Sequence, residues 1–267
     1  MSLRQKLRNN KPIIGIMIQD LVDPILIPLL SECGYDFIVL DQEHGPSTYQ
    51  DVQNLSIVTR KEGIALVVRA TNISHEYISK ILDMGADGLM IPHVDTIEQV
   101  QEVIKWAKYP PVGERSWGMR KILSKVDEKE TNRYINSAND WTTIFIQVES
   151  PKSVNNVNDL VSRQFIDGVI IGPADLSMNM GIMGKYTSDE FVTALEKVLT
   201  ACKDNKKGFG IHFGDIALAL DWKEKGANIL LHGNVKQLIM QKGRETVSAL
   251  LGDPRKRESN QNSGSPY

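Results

Sequence analysis

Eight short apolar runs recur along this chain, separated by amphipathic stretches. They are PIIGIMI (12–18), FIVLD (37–41), ALVVRA (65–70), GLMIPHV (88–94), TIFIQVES (143–150), GVIIGPADL (168–176), FGIHF (209–213) and NILLHG (228–233). Each run is continuous rather than alternating in polarity, the pattern of parallel strands buried on both faces. The stretches between them, such as TIEQVQEVIKWAKY and SDEFVTALEKVLTACKDNKK, carry helical periodicity. Several helix-to-strand joints hold a glycine where a helix C-cap needs one: ECGYDF, DMGADG and EKGANI. Eight strand-then-helix units predict a closed (β/α)8 TIM barrel, a single α/β domain over residues 1–252. An open doubly wound sheet uses fewer strands and often a glycine-rich turn after the first one; here IQDLVDP occupies that place.

Two segments stand outside the repeat. Residues 110–140, with PPVGERSWGMRK and TNRYINSAND, read as a loop insertion of the kind that forms functional loops or lids. Residues 253–267 are polar and rich in glycine and serine, the composition of a disordered tail. A net charge of −2 gives no general case for nucleic acid or an anionic membrane as partner. No run has the length of a membrane span, and the basic, polar start MSLRQKLRNNK does not suit a secretory signal. Cys33 and Cys202 lie in helix-like contexts without metal-ligand spacing and read as two buried thiols of a cytoplasmic protein.

Enzymes built on this barrel place their chemistry at the carboxyl ends of the strands. Those ends carry Gln19 and Asp20; Asp41, Glu43 and His44; Arg69; His93; Gln147 and Glu149; Gly172, Pro173, Ala174 and Asp175; His212; and His232. Glu149 and Asp175 close adjacent strands, and Gln147 shares a face with Glu149. Such oxygen donors suit Mg²⁺ or Mn²⁺, and also Co²⁺. The competing reading makes both carboxylates helix caps. Arg69, at the end of an apolar run, requires an anionic partner. It serves either as an ion pair with Glu149 or Asp41, or as stabiliser of an oxyanion. The small residues Gly172-Pro173-Ala174 form either a plain turn or a cradle of backbone N–H groups for a carboxylate. No strand ends in lysine, which argues against Schiff-base chemistry. Asp83 falls in the last turn of a helix, where its charge opposes the helix dipole.

The stretches GYDFIVLDQEHGP, VVRA, ILDMGADGLMIPHV, KYPPVGERSWG, IQVES and GVIIGPADLSMNMG, in this order, closely resemble one family. It is that of the metal-dependent (class II) pyruvate aldolases of the HpcH/HpaI type, including 4-hydroxy-2-oxoheptanedioate and 2-dehydro-3-deoxyglucarate aldolases. The resemblance covers about residues 10 to 252. It implies a carbon–carbon lyase that splits a 4-hydroxy-2-oxo acid into pyruvate and an aldehyde. It further implies His44 as general base, Arg69 as enolate stabiliser, and Glu149 and Asp175 as ligands of Mg²⁺, Mn²⁺ or Co²⁺. Gln147 would lie near the substrate, and the backbone around Ala174 would take the carboxylate. Asp83 would support His44 from a neighbouring subunit, within a homo-hexamer that exchanges its last helix. The chain departs from the pattern at Gly45-Pro46-Ser47-Thr48 and at His212, a pocket-wall position expected to be apolar, and both bear on the aldehyde half. Two rivals are a 2-oxo acid decarboxylase using the same enolate and a barrel kept only for binding or assembly.

Overall fold

The structure is a computed structural model, and it describes residues 1–118 and 131–252. The expected tail at 253–267 and the middle of the expected insertion, 119–130, lie outside the described residues. A short helix, α1 (Leu3–Arg8), precedes strand β1 (Ile13–Ile18). There follow α2 (Leu26–Glu32), β2 (Phe37–Asp41), α3 (Tyr49–Glu62), β3 (Ala65–Arg69), α4 (His75–Asp83), β4 (Gly88–Ile91) and α5 (Ile97–Ala107). The second half runs α6 (Thr131–Trp141), β5 (Thr143–Val148), α7 (Pro151–Val161), β6 (Gly168–Ile171), α8 (Pro173–Asn179) and α9 (Asp189–Asp204). It ends with β7 (Gly208–Phe213), α10 (Ile216–Lys225), β8 (Ile229–Asn234) and α11 (Val235–Leu251).

All neighbouring strands pair in parallel, and β8 closes on β1, so the sheet is the expected eight-stranded barrel. Alternation along each strand divides the core in two. Ile13, Met17, Phe37, Val39, Val67, Met90, Phe145, Ile170, Ile229 and Leu231 fill the barrel interior. The intervening residues, such as Ile38, Leu40, Leu66, Val68, Ile144 and Ile146, pack against the surrounding helices. Large and small interior residues are matched. A Cβ on Gly210 would lie 2.2 Å from the backbone oxygen of Ile229, and one on Gly168 2.6 Å from the Ile229 side chain. The same alternation carries Asp41, Arg69, Gln147 and Glu149 to the top of the interior, at the carboxyl ends.

The two ends of the insertion are tied down away from that mouth. Lys108, fully buried, donates from Nζ to the carbonyls of Asn139 (2.7 Å) and Thr142 (2.6 Å). Arg4 adds a hydrogen bond to Asn139 O at 2.9 Å and an ion pair with Asp167 at 2.8 Å. Cations at these carbonyls compensate the negative end of α6. The TNRYINSAND stretch is therefore largely helical and packs near α1, at the amino-terminal side of the barrel. Both cysteines are free, and Cys202 is buried as expected. Cys33, by contrast, is exposed, because it caps the end of α2 rather than facing the core.

Candidate active site

Strand β2 stops at Asp41, and a bend over residues 42–45 carries Glu43 and His44 across the barrel rim. Asp41 builds this bend by accepting the backbone N–H groups of Glu43 (3.0 Å) and His44 (3.2 Å) on one carboxylate oxygen. Gly45 follows because a Cβ there would stand 2.3 Å from Asp41 O and 2.9 Å from Gln19 O. Gln42 is anchored below, accepting from the Tyr77 hydroxyl at 2.7 Å. The His44 ring is left largely exposed at the mouth, its Nε2 3.9 Å from Glu43 Oε2.

Arg69 crosses from β3 and is buried. Its Nε and Nη2 donate to the two oxygens of Asp41, at 2.9 and 2.7 Å, and its Nη1 lies 3.2 Å from Glu43 Oε2. Of the two structural partners considered from the sequence, Asp41 is the one that pairs. Burial alone would lower the Arg69 pKa, but Asp41, Glu43 and Glu149 together hold it above its ordinary value. Asp41 shows the mirror image: burial pushes its carboxyl up, yet the Arg69 hydrogen bonds and the two backbone N–H groups keep it below the usual range.

Glu149 stands just beyond β5 and is buried. It does not cap the helix that follows; Ser150 does, accepting the N–H of Ser153, with Pro151 in the first helical turn. The carboxylate is thus free to face the mouth. Gln147 donates from Nε2 to Glu149 Oε1, while Gln147 Oε1 is buried without a partner among the described residues. Burial raises the Glu149 pKa, and the charges of Asp175 and Glu43 push the same way against hydrogen bonding and charge from His93. Strand β6 ends at Ile171, earlier than the apolar run suggests, because Pro173 opens α8. Gly172 is the N-cap, and a Cβ on it would meet Glu149 Oε1 at 2.4 Å. Asp175 lies in the first turn of α8, half-buried. The amides of Ala174 and Asp175 have no carbonyl within their own helix to bond.

His212 is the top residue of the β7 interior face and donates from Nε2 to Gly233 O at 3.0 Å. Burial lowers its pKa, against the hydrogen bond to Gly233, and the nearby Arg69 charge adds to the lowering. Asp83 is elsewhere. It ends α4 and pairs with Arg115 of its own chain, Nη2 to Oδ1 at 2.6 Å. That pair supplies the local reason for a carboxylate at this helix end. Among the mouth residues given no role from the sequence, one bridges two carboxylates. His93, after β4, contacts both Glu43 (2.9 Å) and Glu149 (3.2 Å). Its place at a strand end was the available signal; its bridging position depends on a left-handed backbone that sequence does not announce.

Residues 18–240 match the family model of HpcH/HpaI aldolase/citrate lyase. The chain belongs to that family. A hydroxypyruvate/pyruvate aldolase of Roseovarius nubinhibens is 30% identical over 85% of this chain and 88% of that protein. A 4-hydroxy-2-oxo-heptane-1,7-dioate aldolase of Salmonella heidelberg is 29% identical over 96% of both chains. Among solved structures, an HpcH/HpaI aldolase of Desulfitobacterium hafniense DCB-2 superposes with a TM-score of 0.87 at 31% identity, covering 94% of this chain and 98% of that one. The chain is accordingly a carbon–carbon lyase of the aldolase class. Among the described residues, no helix is long and apolar enough to cross a membrane.

Proposed function

We propose that this chain cleaves a 4-hydroxy-2-oxo acid to pyruvate and an aldehyde, and catalyses the reverse addition, with a divalent cation at Glu149 and Asp175. The observation that carries the reading is the division of charge across one mouth. A buried guanidinium, held by Asp41 and Glu43, stands within electrostatic reach of a buried carboxylate whose neighbours are themselves acidic. Among the described residues no set of three ligating side chains is gathered, so Glu149 and Asp175 would supply two carboxylate donors, with substrate and water completing the shell of a hard cation such as Mg²⁺ or Mn²⁺, or of Co²⁺. A cation bound there would polarise the 2-oxo group and acidify the protons on C3.

The protein's own groups then have separable tasks. In the cleavage direction His44, directly or through water, takes the proton of the 4-hydroxyl. The electron pair of the C3–C4 bond moves into the enolate of pyruvate, and the aldehyde leaves. Arg69 stabilises the developing negative oxygen without needing to reorient, since Asp41 fixes its plane. The amides around Ala174, with Gly172 and Pro173 shaping the turn, take the substrate carboxylate. Gln147 Oε1, buried and without a partner among the described residues, is suited to accept a hydrogen bond from a substrate hydroxyl. His212 lines the side of the mouth that receives the aldehyde. Return of a proton to C3 gives pyruvate.

The same proposal includes a homo-oligomer, a hexamer on the family resemblance. Helix α11 touches chiefly β1 and β8 and leaves Ile239, Met240, Val247, Leu250 and Leu251 exposed. Apolar side chains in that number on one helix suit exchange with a neighbouring subunit. The deciding experiment measures pyruvate release from a panel of 4-hydroxy-2-oxo acids after chelation, then with Mn²⁺, Co²⁺ or Mg²⁺ restored. Metal-restored cleavage is expected. Turnover surviving exhaustive chelation, or a borohydride-trapped Schiff base, would overturn the cation's role; oxaloacetate decarboxylation without any aldol cleavage would overturn the reaction.

A further inference from the structure

His93 occupies an uncommon backbone state. Its φ is +56°, in the left-handed region that residues with a Cβ seldom adopt. The result is that both its backbone and its ring turn toward the acids of the mouth. The backbone N–H donates to Glu149 Oε2 at 3.0 Å, and ring Nδ1 lies 3.2 Å from the same oxygen. Ring Nε2 lies 2.9 Å from Glu43 Oε1. The other oxygen of Glu43 faces Arg69 Nη1 at 3.2 Å. A continuous line of polar contacts therefore runs from Glu149 through His93 and Glu43 to Arg69 and Asp41.

We infer that His93 is a positioning residue that sets the orientation of Glu149 toward a bound cation and holds Glu43 against Arg69. The inference rests on the reading of Glu149 as a cation ligand. Glu149 is gripped from two sides: Gln147 holds Oε1, and His93 holds Oε2 by backbone and ring together. Two grips fix the carboxylate plane: His93 occupies both acceptor positions of Oε2, and Oε1, with Gln147 as its one donor, keeps a lone pair for a cation. Partners that orient a metal ligand in this way typically contribute on the order of 10- to 100-fold in metal affinity or activity. The ring also separates Glu43 from Glu149, two acids whose charges oppose one another. It lines a cavity of about 520 Å³ with Glu149, Asp95 and Asn179, so its removal leaves space rather than a clash.

The test uses His93→Gly and His93→Asn in the full chain. Glycine accepts the left-handed backbone and keeps the N–H bond to Glu149 while deleting the ring, so folding is not put at risk. Asparagine tolerates the same backbone and restores a side-chain donor. Metal-stripped proteins are titrated calorimetrically with MnCl₂, CoCl₂ and MgCl₂, and thermal midpoints are recorded. The expected result is Mn²⁺ binding at least about 10-fold weaker in His93→Gly, partial recovery in His93→Asn, and an undiminished thermal midpoint. Wild-type Mn²⁺ affinity in His93→Gly overturns the inference and leaves the Glu149 reading standing. A wild-type protein that binds none of the three cations overturns that reading and this inference with it.

Discussion

Arg69 and Asp41 form a two-pronged pair at the top of the barrel interior, Nε to Oδ1 at 2.9 Å and Nη2 to Oδ2 at 2.7 Å. The two residues are opposite each other in the β2–β3 register, so adjacent strands deliver them ready paired. Asp41 also accepts the backbone N–H groups that shape the Glu43–His44 bend. One carboxylate thus fixes both the proposed oxyanion stabiliser, Arg69, and the backbone that carries the proposed base, His44. A lysine does not substitute for Arg69, because a bidentate fork needs a planar guanidinium.

Arg69→Lys is therefore expected to lose far more rate than charge alone suggests. Lysine keeps the positive charge but can neither span both oxygens of Asp41 nor present a fixed donor to the enolate. Loss of an oxyanion donor costs about 10²- to 10³-fold in kcat. Steady-state kinetics on a variant with a native circular dichroism spectrum provides the check. Turnover close to wild type would reduce Arg69 to a structural ion pair.

The barrel was legible in the sequence because its signal is local. Strand β2 was expected at Phe37–Asp41 and lies there, and the other seven runs each contain a strand. The errors are at run ends. GVIIGPADL reads as one apolar strand, but Pro173 pre-sets the backbone for the first turn of α8 and stops β6 at Ile171. TIFIQVES likewise overshoots, since Ser150 is a helix cap. The site was legible as a set of residue types at strand ends, not as a network. Which acid Arg69 meets, and that His93 bridges two carboxylates, depend on registers and a left-handed backbone set by tertiary packing.

Lys108 gives a stability prediction with a defined sign. Its amine is fully buried between carbonyls, and burial lowers its pKa to about 7, with the charge of Arg4 adding to the effect. The unfolded chain, with a lysine pKa of about 10.4, then binds more protons than the folded one between about pH 7 and 10. Stability contributed by this group rises with pH across that window and is lower by the full amount below it. The slope is on the order of 1 kcal/mol per pH unit. Lys108→Met should remove that slope. Urea unfolding of wild type and variant at pH 7 and pH 9 measures it. Equal pH dependence in the two proteins would mean that Lys108 stays protonated throughout.

The last prediction concerns shared sites. Asp83 lies at the end of α4, on the helical layer outside the strands, and in its own chain it holds Arg115. His44 stands at the barrel mouth with its ring largely exposed and its Nε2 3.9 Å from the nearest oxygen of Glu43. A carboxylate brought to that ring from a neighbouring barrel would favour its protonated form and so raise its basicity. In the proposed oligomer, the exposed apolar residues of α11 would bring two barrels together. If Asp83 acts across such a boundary, His44→Ala and Asp83→Ala should each be inactive alone. Mixed and allowed to exchange subunits, they should recover part of the wild-type rate, because some sites then combine an intact His44 with an intact Asp83. Subunit exchange is followed independently by native mass spectrometry of differently tagged chains. Exchange without recovered activity, or a fully active monomer, would confine Asp83 to its ion pair with Arg115.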